Sequence, residues 1–409
     1  MTSGLYQTWL RTAAALGLIL WLGGCATAVT RISDETRPTT VGDALLRLFN
    51  AEQVEAVFFT PSNRDTGLVE RVSAIRDEYL SQYGPVRSVR EDERFWLLEF
   101  DEAIVPVFAT LDDEGGFVML WVNIAEPLSP PTLTDIEGVL DEFGGTVSLY
   151  IEREGRELFA READTPLAVG SAFKVAVLQA LRAQQSAGRI APDRRVRLRE
   201  HHKSLPSGRL HLETAGKTFT LGTLTEAMIA ESDNTATDML IDLVGAESIE
   251  SLTPRNSPFL TTVQFFKLKD PAQADLRATW QQGDPETRRD VLSELEQRPL
   301  PPLSIFGTQP LALDIEWFIS AREMCGHLRA VGFDWAMTRN AAQLDRSRWS
   351  RVAYKGGSEP GVFHQSFLLQ DSSGRVSCAI GTWNNPEGMV SLPFIRLMSH
   401  MARLARELP

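Results

Sequence analysis

Cysteine, histidine and positive charge are all scarce in this 409-residue sequence. It holds three cysteines and six histidines, and neither type occurs in pairs at the spacing of a metal site, so we expect no metal and no cofactor. The histidine doublet, His201-His202, lies in the charged stretch RLREHHKS and is predicted to face solvent. Acidic residues outnumber basic ones by 54 to 41, which gives a net charge of −13 and argues against a nucleic-acid partner.

The N-terminal residues contain an apolar run that is too short to cross a membrane. Arg11 precedes the segment AAALGLILWLGG, which ends at Cys25, and this pattern is typical of an export signal. The residues LGGC also resemble a bacterial lipobox, whose cysteine is lipidated after cleavage. We therefore predict a signal peptide at 1–24, lipidation of Cys25, a tether at 25–40 and an extracytoplasmic protein anchored to a bacterial membrane. An ordinary cleaved signal, giving a secreted or periplasmic protein, is the alternative.

Two further cysteines, Cys325 and Cys378, stand 53 residues apart. Both lie in apolar surroundings, REMCGHL and RVSCAIG, which favours buried free thiols. A disulfide stays open as an alternative, because an exported protein can keep one.

The chain divides at EPLSPP, residues 126–131, whose composition is typical of a linker. In the first domain, predicted at 41–126, helical patterns at 41–50 and 66–84 precede four segments rich in β-branched and aromatic residues. Pro106 indicates that the third of these strands lies at an edge or carries a bulge. Helices followed by a meander of strands predict a small α+β domain.

The second domain, predicted at 132–409, begins and ends with β structure and has helices in the middle. A helix is expected to start at Thr134, with Glu137 completing a capping box, and a hairpin is expected to turn at 153–155. The other predicted elements are helices at 170–181, 223–244 and 391–407 and strands at 363–370 and 375–383.

The segment GSAFKVAVLQAL, residues 170–181, places a lysine near the start of an apolar helix. Ser171 can cap this helix, but Lys174 is unfavourable there because the helix dipole is positive at its N-terminus. Burial also disfavours the charge, so both effects lower the pKa of Lys174. Because residues three apart share a helix face, Lys174 is a candidate general base for Ser171. The alternative is a lysine whose amine reaches solvent.

Two further short motifs follow in the chain. The triplet SDN at 232–234 separates two apolar helical patterns, where it also suits an ordinary helix cap. The triplet KGG at 355–357 precedes a predicted strand, and its glycines allow a backbone to approach a ligand closely, although a plain turn explains it equally well. Neither motif identifies a site by itself.

Together, S-x-x-K, S-D-N and K-G-G in this order resemble the motifs of the class A serine β-lactamases and penicillin-binding proteins. The resemblance extends over about residues 145–405 and includes SAGRI, SGRL and the flanks of each motif. It implies an antiparallel sheet with a helical subdomain. It also implies catalytic roles: Ser171 as nucleophile, Lys174 as general base, Ser232 as proton relay and Lys355 as the anchor of a substrate carboxylate.

The same resemblance implies the residues that bind substrate. The N–H groups of Ser171 and Ser358 form the expected oxyanion hole, Gly357 allows the close approach, and Asn234 holds the substrate's amide side chain. A positive pocket in an acidic protein suits an anionic small molecule.

The sequence departs from this family in two places. Class A enzymes carry a glutamate, followed four residues later by asparagine, that activates the deacylating water. In residues 245–315, Glu286, Glu294 and Glu296 all lack that asparagine, so we expect an acyl-enzyme to hydrolyse slowly. Gly356 stands where a hydroxyl residue is usual, which removes one hydrogen bond to the substrate carboxylate.

The two-domain layout resembles the subfamily of the clavulanic-acid-pathway cephalosporin esterase and its actinobacterial lipoprotein relatives. These proteins join a small NTF2- or cystatin-like (steroid-isomerase-like) domain to a β-lactamase-like domain that lacks the glutamate. Residues 41–126 match that small domain in element order, with Asp101 or Glu102 as candidates to line a pocket. We expect an exported serine hydrolase acting on β-lactams or esters, as a weak β-lactamase or a cephalosporin esterase. The alternatives are a D-alanyl-D-alanine peptidase acting on muropeptides and a penicillin-binding receptor without turnover.

Overall fold

The structure is a computed structural model, and it describes residues 40–408 except 65–66, 93–94, 124, 130–131, 141–142, 341, 343, 345–347 and 390. The chain divides into two compact units, residues 1–131 and 132–409, and each is described by itself. The predicted signal peptide, Cys25 and all of the tether before Thr40 lie outside the described residues. Among the residues that are described, no helix has both the length and the apolarity needed to cross a bilayer.

The N-terminal unit combines two helices with an antiparallel sheet. Helices α1 (Val41–Asn50) and α2 (Leu68–Tyr83) precede strands β1 (Val86–Asp92), β2 (Phe95–Phe100), β3 (Ala103–Leu111), β4 (Phe117–Val122) and β5 (Glu126–Pro127). The strands pair in the order β1-β2-β3-β4, and β5 also pairs with β3. One core joins both layers through Leu45, Leu48, Tyr79, Leu98 and Val105. The predicted order of two helices followed by a meander of strands is confirmed.

Pro106 interrupts the pairing of β3 without placing that strand at an edge. β3 pairs with β2 on one side and with β4 and β5 on the other, so the edge alternative is wrong. The carbonyl of Pro106 accepts a hydrogen bond from the N–H of Asn123 just after β4, and pairing with β5 begins at Ile104. Proline has no N–H to donate. Pro106 lies where the pairing of β3 passes from β4 to β5, so the missing donor is tolerated there.

The β2–β3 turn carries the two acids that the resemblance assigns to a pocket. The Asp101 carboxylate pairs with the guanidinium of Arg87, and both side chains are exposed. Glu102 is exposed as well. Neither acid lines an enclosed pocket, because both face solvent at this turn.

The C-terminal unit is built on a five-stranded antiparallel sheet. Its strands are β6 (Thr146–Arg153), β7 (Arg156–Arg161), β12 (Arg351–Glu359), β13 (Val362–Gln370) and β14 (Val376–Asn384), in the order β12-β13-β14-β6-β7. Helices α3 (Leu133–Leu140) and α12 (Ser391–Glu407) cover one face, and α4 (Lys174–Ser186) and α11 (Ala321–Val331) cover the other. Alternate residues of β14 therefore enter separate cores, Ala379 on one face and Ile380 on the other.

The chain between β7 and β12 is mostly helical. Its elements are the strand pairs β8 (Leu167–Ala168) with β11 (Phe318–Ile319) and β9 (Arg195–Arg197) with β10 (Thr218–Thr220), and the helices α5 (Leu221–Ala230), α6 (Asn234–Val244), α7 (Ala246–Glu250), α8 (Thr262–Lys269), α9 (Ala274–Gln282) and α10 (Pro285–Leu295). Helix α6 packs against α4, α5 and α8. The antiparallel sheet and the helical subdomain are both present, as expected.

Two helix predictions in this unit need correction. The capping box lies two residues before Thr134, because the N–H of Thr132 donates to the Asp135 carboxylate and the N–H of Asp135 donates to Oγ1 of Thr132. The predicted helix at 223–244 is two helices, since the chain leaves the helix after Ala230 and Asp233 caps the next one.

The interpretation of Cys325 and Cys378 as free thiols is wrong. The two form a disulfide, because α11 packs on β14 and brings their Cα atoms to 5.8 Å, within the span of a disulfide. Their predicted burial is confirmed, with both side chains almost inaccessible.

The prediction that both residues of the histidine doublet face solvent holds for His201 and is wrong for His202. His202 is buried, its Nδ1 accepts the N–H of Arg199 at 3.1 Å, and its Nε2 lies 3.2 Å from Asp242. Burial lowers the pKa of His202. Both ring nitrogens thus have protein partners.

Candidate active site

Ser171 lies in a 3₁₀ turn just before α4. Gly170–Phe173 forms this turn and Lys174 is the first residue of the α-helix, so the prediction that Ser171 caps the helix is wrong. The Phe173 ring stacks on Trp317 with the ring centroids 3.7 Å apart, which holds the turn against β11. Ser171 is the one residue of the turn that stays partly exposed. The candidate nucleophile, Ser171, is therefore accessible on a closely packed support.

Lys174 is fully buried and lies beside the hydroxyl of Ser171. Its Nζ is 3.2 Å from Oγ of Ser171 and 3.2 Å from Oγ of Ser232. It also donates to Oδ1 of Asn234 at 2.7 Å and to the carbonyl of Ser232 at 2.6 Å. The alternative of an amine that reaches solvent is wrong, because no part of Lys174 is exposed.

The surroundings of Lys174 favour its neutral form. Burial lowers the pKa of Lys174 well below its usual 10.5, and the nearby charge of Lys355 lowers it further. Asp238 and Asp233 act in the opposite direction, but backbone N–H groups already hydrogen-bond to their carboxylates. A neutral amine 3.2 Å from Ser171 can accept the serine proton.

Ser232 connects the two lysines. Its Oγ lies 3.2 Å from Nζ of Lys174 and 3.1 Å from Nζ of Lys355. Its backbone has a φ of 58°, which is uncommon for a residue with a side chain and costs free energy. Ser207 donates a hydrogen bond to the Ser232 carbonyl, and Asp233 caps α6 through the N–H of Ala236. The helix-cap alternative thus describes Asp233, while Ser232 faces the lysines.

Lys355 is buried within β12. Its Nζ donates to Oγ of Ser232 at 3.1 Å and to the carbonyl of Gly356 at 2.8 Å. Burial lowers its pKa from 10.5 to about 7. The alternative of a plain turn at 355–357 is wrong, because all three residues belong to the strand.

Gly357 allows β12 to lie directly against the turn that carries Ser171. A Cβ at Gly357 would overlap the carbonyl of Val169 and would lie 2.7 Å from the backbone nitrogen of Ser171. Gly170 has a φ of 48°, and a Cβ there would lie 3.1 Å from the nitrogen of Ser358. The backbone nitrogens of Ser171 and Ser358 therefore lie on facing segments, as an oxyanion hole requires.

Asn234 is in contact with the candidate base. Its Oδ1 accepts from Lys174 at 2.7 Å, and its Nδ2 donates to the carbonyl of Leu205 at 3.0 Å. Asn234 is buried, so these contacts position Lys174. Its predicted contact with a substrate amide stays a prediction.

The three glutamates considered as water activators lie away from the nucleophile's contacts. Glu286, Glu294 and Glu296 are exposed on or beside α10. Within the part of the chain that the structure describes, no carboxylate hydrogen-bonds to Ser171 or Lys174. The segment 253–306 instead forms α8, α9 and α10, which explains its unusual length.

Sequence analysis missed a buried acid close to the base. Asp238 lies on α6, four residues after Asn234, and burial raises its pKa to about 7. Its carboxylate accepts the N–H groups of Thr262 at 2.7 Å and Val263 at 2.9 Å, so it fastens the start of α8. The signal was an acid placed in the apolar pattern DMLIDLV.

A second buried lysine was also missed, at the far end of β12. Lys269 ends α8 and contacts the carboxyl groups of Glu316, at 3.5 Å, and Glu359. Lys269 and Glu316 are almost completely inaccessible. Burial, followed by the charge of Glu359, raises the pKa of Glu316 well above 4.5. These three residues connect α8, through Lys269, to the segment before β11, through Glu316, and to β12, through Glu359.

A family model described as the β-lactamase enzyme family matches residues 132–294, which is more than half of the C-terminal unit. No curated protein matches the chain. The match includes Ser171, Lys174 and Ser232 and ends before Lys355. Over these residues the C-terminal unit is therefore similar to the β-lactamase enzyme family.

Solved structures similar to the chain include a β-lactamase from Sphaerobacter thermophilus, with 22% identity over 68% of this chain and 98% of that one and a TM-score of 0.44. Another is PBP-A, with 18% identity over 68% and 99% of the two chains and a TM-score of 0.45. A third is an ancestral class A β-lactamase of Gram-negative bacteria, with 16% identity over 67% and 98% and a TM-score of 0.46.

Proposed function

We propose that this protein is an exported serine hydrolase that transfers acyl groups from β-lactam or ester substrates through Ser171. The observation that carries the proposal is the line of contacts from Ser171 through Lys174 and Ser232 to Lys355, with links of 3.2, 3.2 and 3.1 Å. A serine nucleophile, a buried amine and facing backbone N–H groups are the parts that acyl transfer needs.

Acylation uses these groups in sequence. Neutral Lys174 takes the proton of Ser171 Oγ as that oxygen bonds to the substrate carbonyl carbon, and the N–H groups of Ser171 and Ser358 hold the oxyanion. The carbonyl then re-forms and the bond to the leaving nitrogen or oxygen breaks. Ser232 gives its proton to that leaving atom and recovers one from Lys174. The acyl-enzyme therefore forms with Lys174 neutral again.

Deacylation needs a base for water, and Lys174 is the base in contact with Ser171. The neutral amine takes a proton from water as the hydroxide attacks the ester, and that proton returns to Oγ of Ser171. Losing a separate, well-placed base costs roughly 10²–10⁴-fold in rate. We therefore propose a weak β-lactamase or a cephalosporin esterase, whose penicilloyl-enzyme accumulates.

Two alternatives use the same residues. A D-alanyl-D-alanine peptidase would take muropeptides as acyl donors, and a penicillin-binding receptor would keep its acyl group without turnover.

Anchoring through a lipid on Cys25 is supported by the sequence LGGC after an apolar run. The order of α1, α2 and the sheet supports an NTF2- or cystatin-like N-terminal domain.

Intact-mass spectrometry over time with a cephalosporin that bears a 3′-acetoxy group tests the proposal. We expect a covalent adduct within the first time points and then slow recovery of the free protein mass, with loss of acetate. A peptidase would show little recovery with the cephalosporin but would release D-alanine from a peptide ending in D-alanyl-D-alanine. A receptor would keep the adduct throughout and would release no D-alanine from the peptide.

Ser171→Ala is the matched variant, because it removes one oxygen from a partly exposed residue and leaves the turn intact. It is expected to give no adduct with the cephalosporin and no labelling by a fluorescent fluorophosphonate. An adduct of unchanged yield in Ser171→Ala would overturn the proposal, since another nucleophile would then carry the acyl group.

A further inference from the structure

The space beside Gly356 is occupied by the hydroxyl group of Tyr354. A Cβ at Gly356 would overlap Oη of Tyr354 and would lie 3.0 Å from its Cζ. The backbone of Gly356 does not have the left-handed φ that favours glycine. Glycine is therefore required at this position because the Tyr354 hydroxyl fills the place of a side chain.

Several contacts hold the Tyr354 hydroxyl in that position. Tyr354 and Gly356 are two residues apart on β12, so both point to the same face of the strand. The ring of Tyr354 packs on Phe367 with the centroids 4.9 Å apart, and the hydroxyl is hydrogen-bonded by the side chain of Gln365. Gln365 lies directly opposite Gly356 on β13. The hydroxyl thus lies beside the residue that follows Lys355.

Lys355 alone offers few hydrogen bonds to an anionic substrate. An ammonium group has three donors, and Oγ of Ser232 and the carbonyl of Gly356 take two of those of Lys355. A carboxylate has two oxygens and about four acceptor positions. A carboxylate at Lys355 therefore gains from a second donor at this end of β12.

The Tyr354 hydroxyl has the properties of such a donor. Burial raises its pKa to about 12, so it keeps its proton at neutral pH. Tyr354 and Gly356 both remain partly exposed, so a ligand can approach this part of the strand. A tyrosine hydroxyl both accepts and donates, so it can accept from the Gln365 amide and donate to a ligand.

We propose that the Tyr354 hydroxyl is the second donor to the substrate carboxylate, and that it replaces the side-chain hydroxyl which the third motif lacks at Gly356. This inference rests on the proposed acyl transfer through Ser171. It makes Tyr354 a specificity-determining residue that selects anionic acyl donors, and it makes Gly356 and Tyr354 a dependent pair.

The test compares the rates at which two fluorescent probes label Ser171: a penicillin, which carries a carboxylate, and a fluorophosphonate, which does not. In Tyr354→Phe we expect the ratio of the penicillin rate to the fluorophosphonate rate to fall by roughly ten- to a hundredfold, as for a lost hydrogen bond to a charged group. Tyr150→Phe is the matched control, because it removes a buried tyrosine hydroxyl of the same sheet, which lies 3.1 Å from Arg322; its ratio is expected to stay at the wild-type value.

A rescue experiment then distinguishes two roles of Tyr354: donation of a hydrogen bond by its hydroxyl, or packing by its ring alone. Gly356→Ser alone is expected to lower the ratio, because its side chain meets Tyr354. In Tyr354→Leu the ratio is also expected to fall, and in Tyr354→Leu/Gly356→Ser the new serine has space and should restore most of the ratio. An unchanged ratio in Tyr354→Phe, or a double variant no better than Tyr354→Leu, would overturn the inference.

The same probes distinguish this failure from failure of the proposed function. If Ser171→Ala is still labelled by the fluorophosphonate, the acyl-transfer proposal fails. If labelling requires Ser171 while Tyr354→Phe keeps the wild-type ratio, only the role of Tyr354 fails.

Discussion

Lys174 and Lys269 are both buried in the C-terminal unit, with 0% and 1% of their surface exposed, but their partners differ. Lys174 hydrogen-bonds to two hydroxyls, a carbonyl and an amide oxygen. Lys269 contacts two carboxyl groups, those of Glu316 and Glu359. Burial disfavours a positive charge on either side chain. The difference in partners therefore makes Lys174 the candidate base and Lys269 a member of a structural ion pair.

Their positions on helices add to this difference. Lys174 is the first residue of α4, where the helix dipole opposes a positive charge, and Lys269 is the last residue of α8, where the dipole favours one. A second cation, Lys355, also acts on Lys174. A buried lysine is therefore expected to act as a base where the helix dipole, the neighbouring charges and the loss of solvation all disfavour its protonated form.

The largest expected effect is on catalysis, and it follows from substituting Lys174. Lys174→Ala removes the amine beside Ser171 and should slow acylation by a fluorescent penicillin roughly 10²–10⁴-fold. Lys174→Arg should not recover the rate, because a guanidinium stays charged. Stopped-flow or gel-based labelling measures both variants. Labelling of Lys174→Ala within about threefold of wild type would exclude Lys174 as the general base.

Substituting Lys269 should lower stability and leave the acylation rate unchanged. Lys269→Met leaves the carboxylate of Glu359 without its cation, at an expected cost of ~3–5 kcal/mol in the free energy of unfolding. Lys174→Met removes a neutral amine and should cost less than about 2 kcal/mol. Denaturant unfolding of the two variants gives both numbers. Equal costs would contradict the distinction drawn between the two lysines.

The pH dependence should separate anionic from neutral substrates. Because the pKa of Lys355 is lowered to about 7, its charge is lost as the pH rises through that value. The kcat/KM for a penicillin should therefore fall by up to about tenfold per pH unit above about 7, since this parameter reports the free enzyme. An uncharged fluorophosphonate should lack this alkaline limb, and Lys355→Arg should remove it for the penicillin. Identical alkaline limbs for the two substrates would contradict the role of Lys355.

The smallest effect is expected at Glu316. Its pKa is raised, so the folded protein holds a proton there and Glu316→Gln should change stability by less than about 1 kcal/mol below that pKa. A raised carboxyl pKa means that the folded state binds more protons, so wild-type stability should fall as the pH rises through it. Glu316→Gln should lose that decline. A glutamine variant that is strongly destabilised at acidic pH would show that Glu316 is charged when folded.

The site could be predicted from sequence where its parts are local. Ser171 and Lys174 are three residues apart, so their spacing predicted that the amine lies beside the hydroxyl, whereas Ser232 and Lys355 were predicted only through the family resemblance. The group of Lys269, Glu316 and Glu359 was not predictable, because chain separations of 47 and 90 residues close only through tertiary packing.

The remaining misses have the same physical origin. The Cys325–Cys378 disulfide depends on how α11 packs against β14. The burial of His202 depends on its contact with Asp242, 40 residues later. The position of Tyr354 over Gly356 requires the side-chain directions of a strand that sequence analysis left open as a turn. Local patterns thus predicted the elements and the nucleophile–base pair, and long-range packing determined the rest.

The most direct test of the account is the pH dependence of Ser171 phosphonylation by an uncharged fluorophosphonate, compared between wild type and Lys269→Met. We predict that both proteins lose activity on the acid side with a midpoint well below 10.5, because Lys174 must be neutral to accept the serine proton. Lys174→Ala should lack this limb and keep only a slow residual rate. A midpoint near 10.5 in wild type, or an acid limb that persists in Lys174→Ala, would contradict the assignment of Lys174 as the buried base.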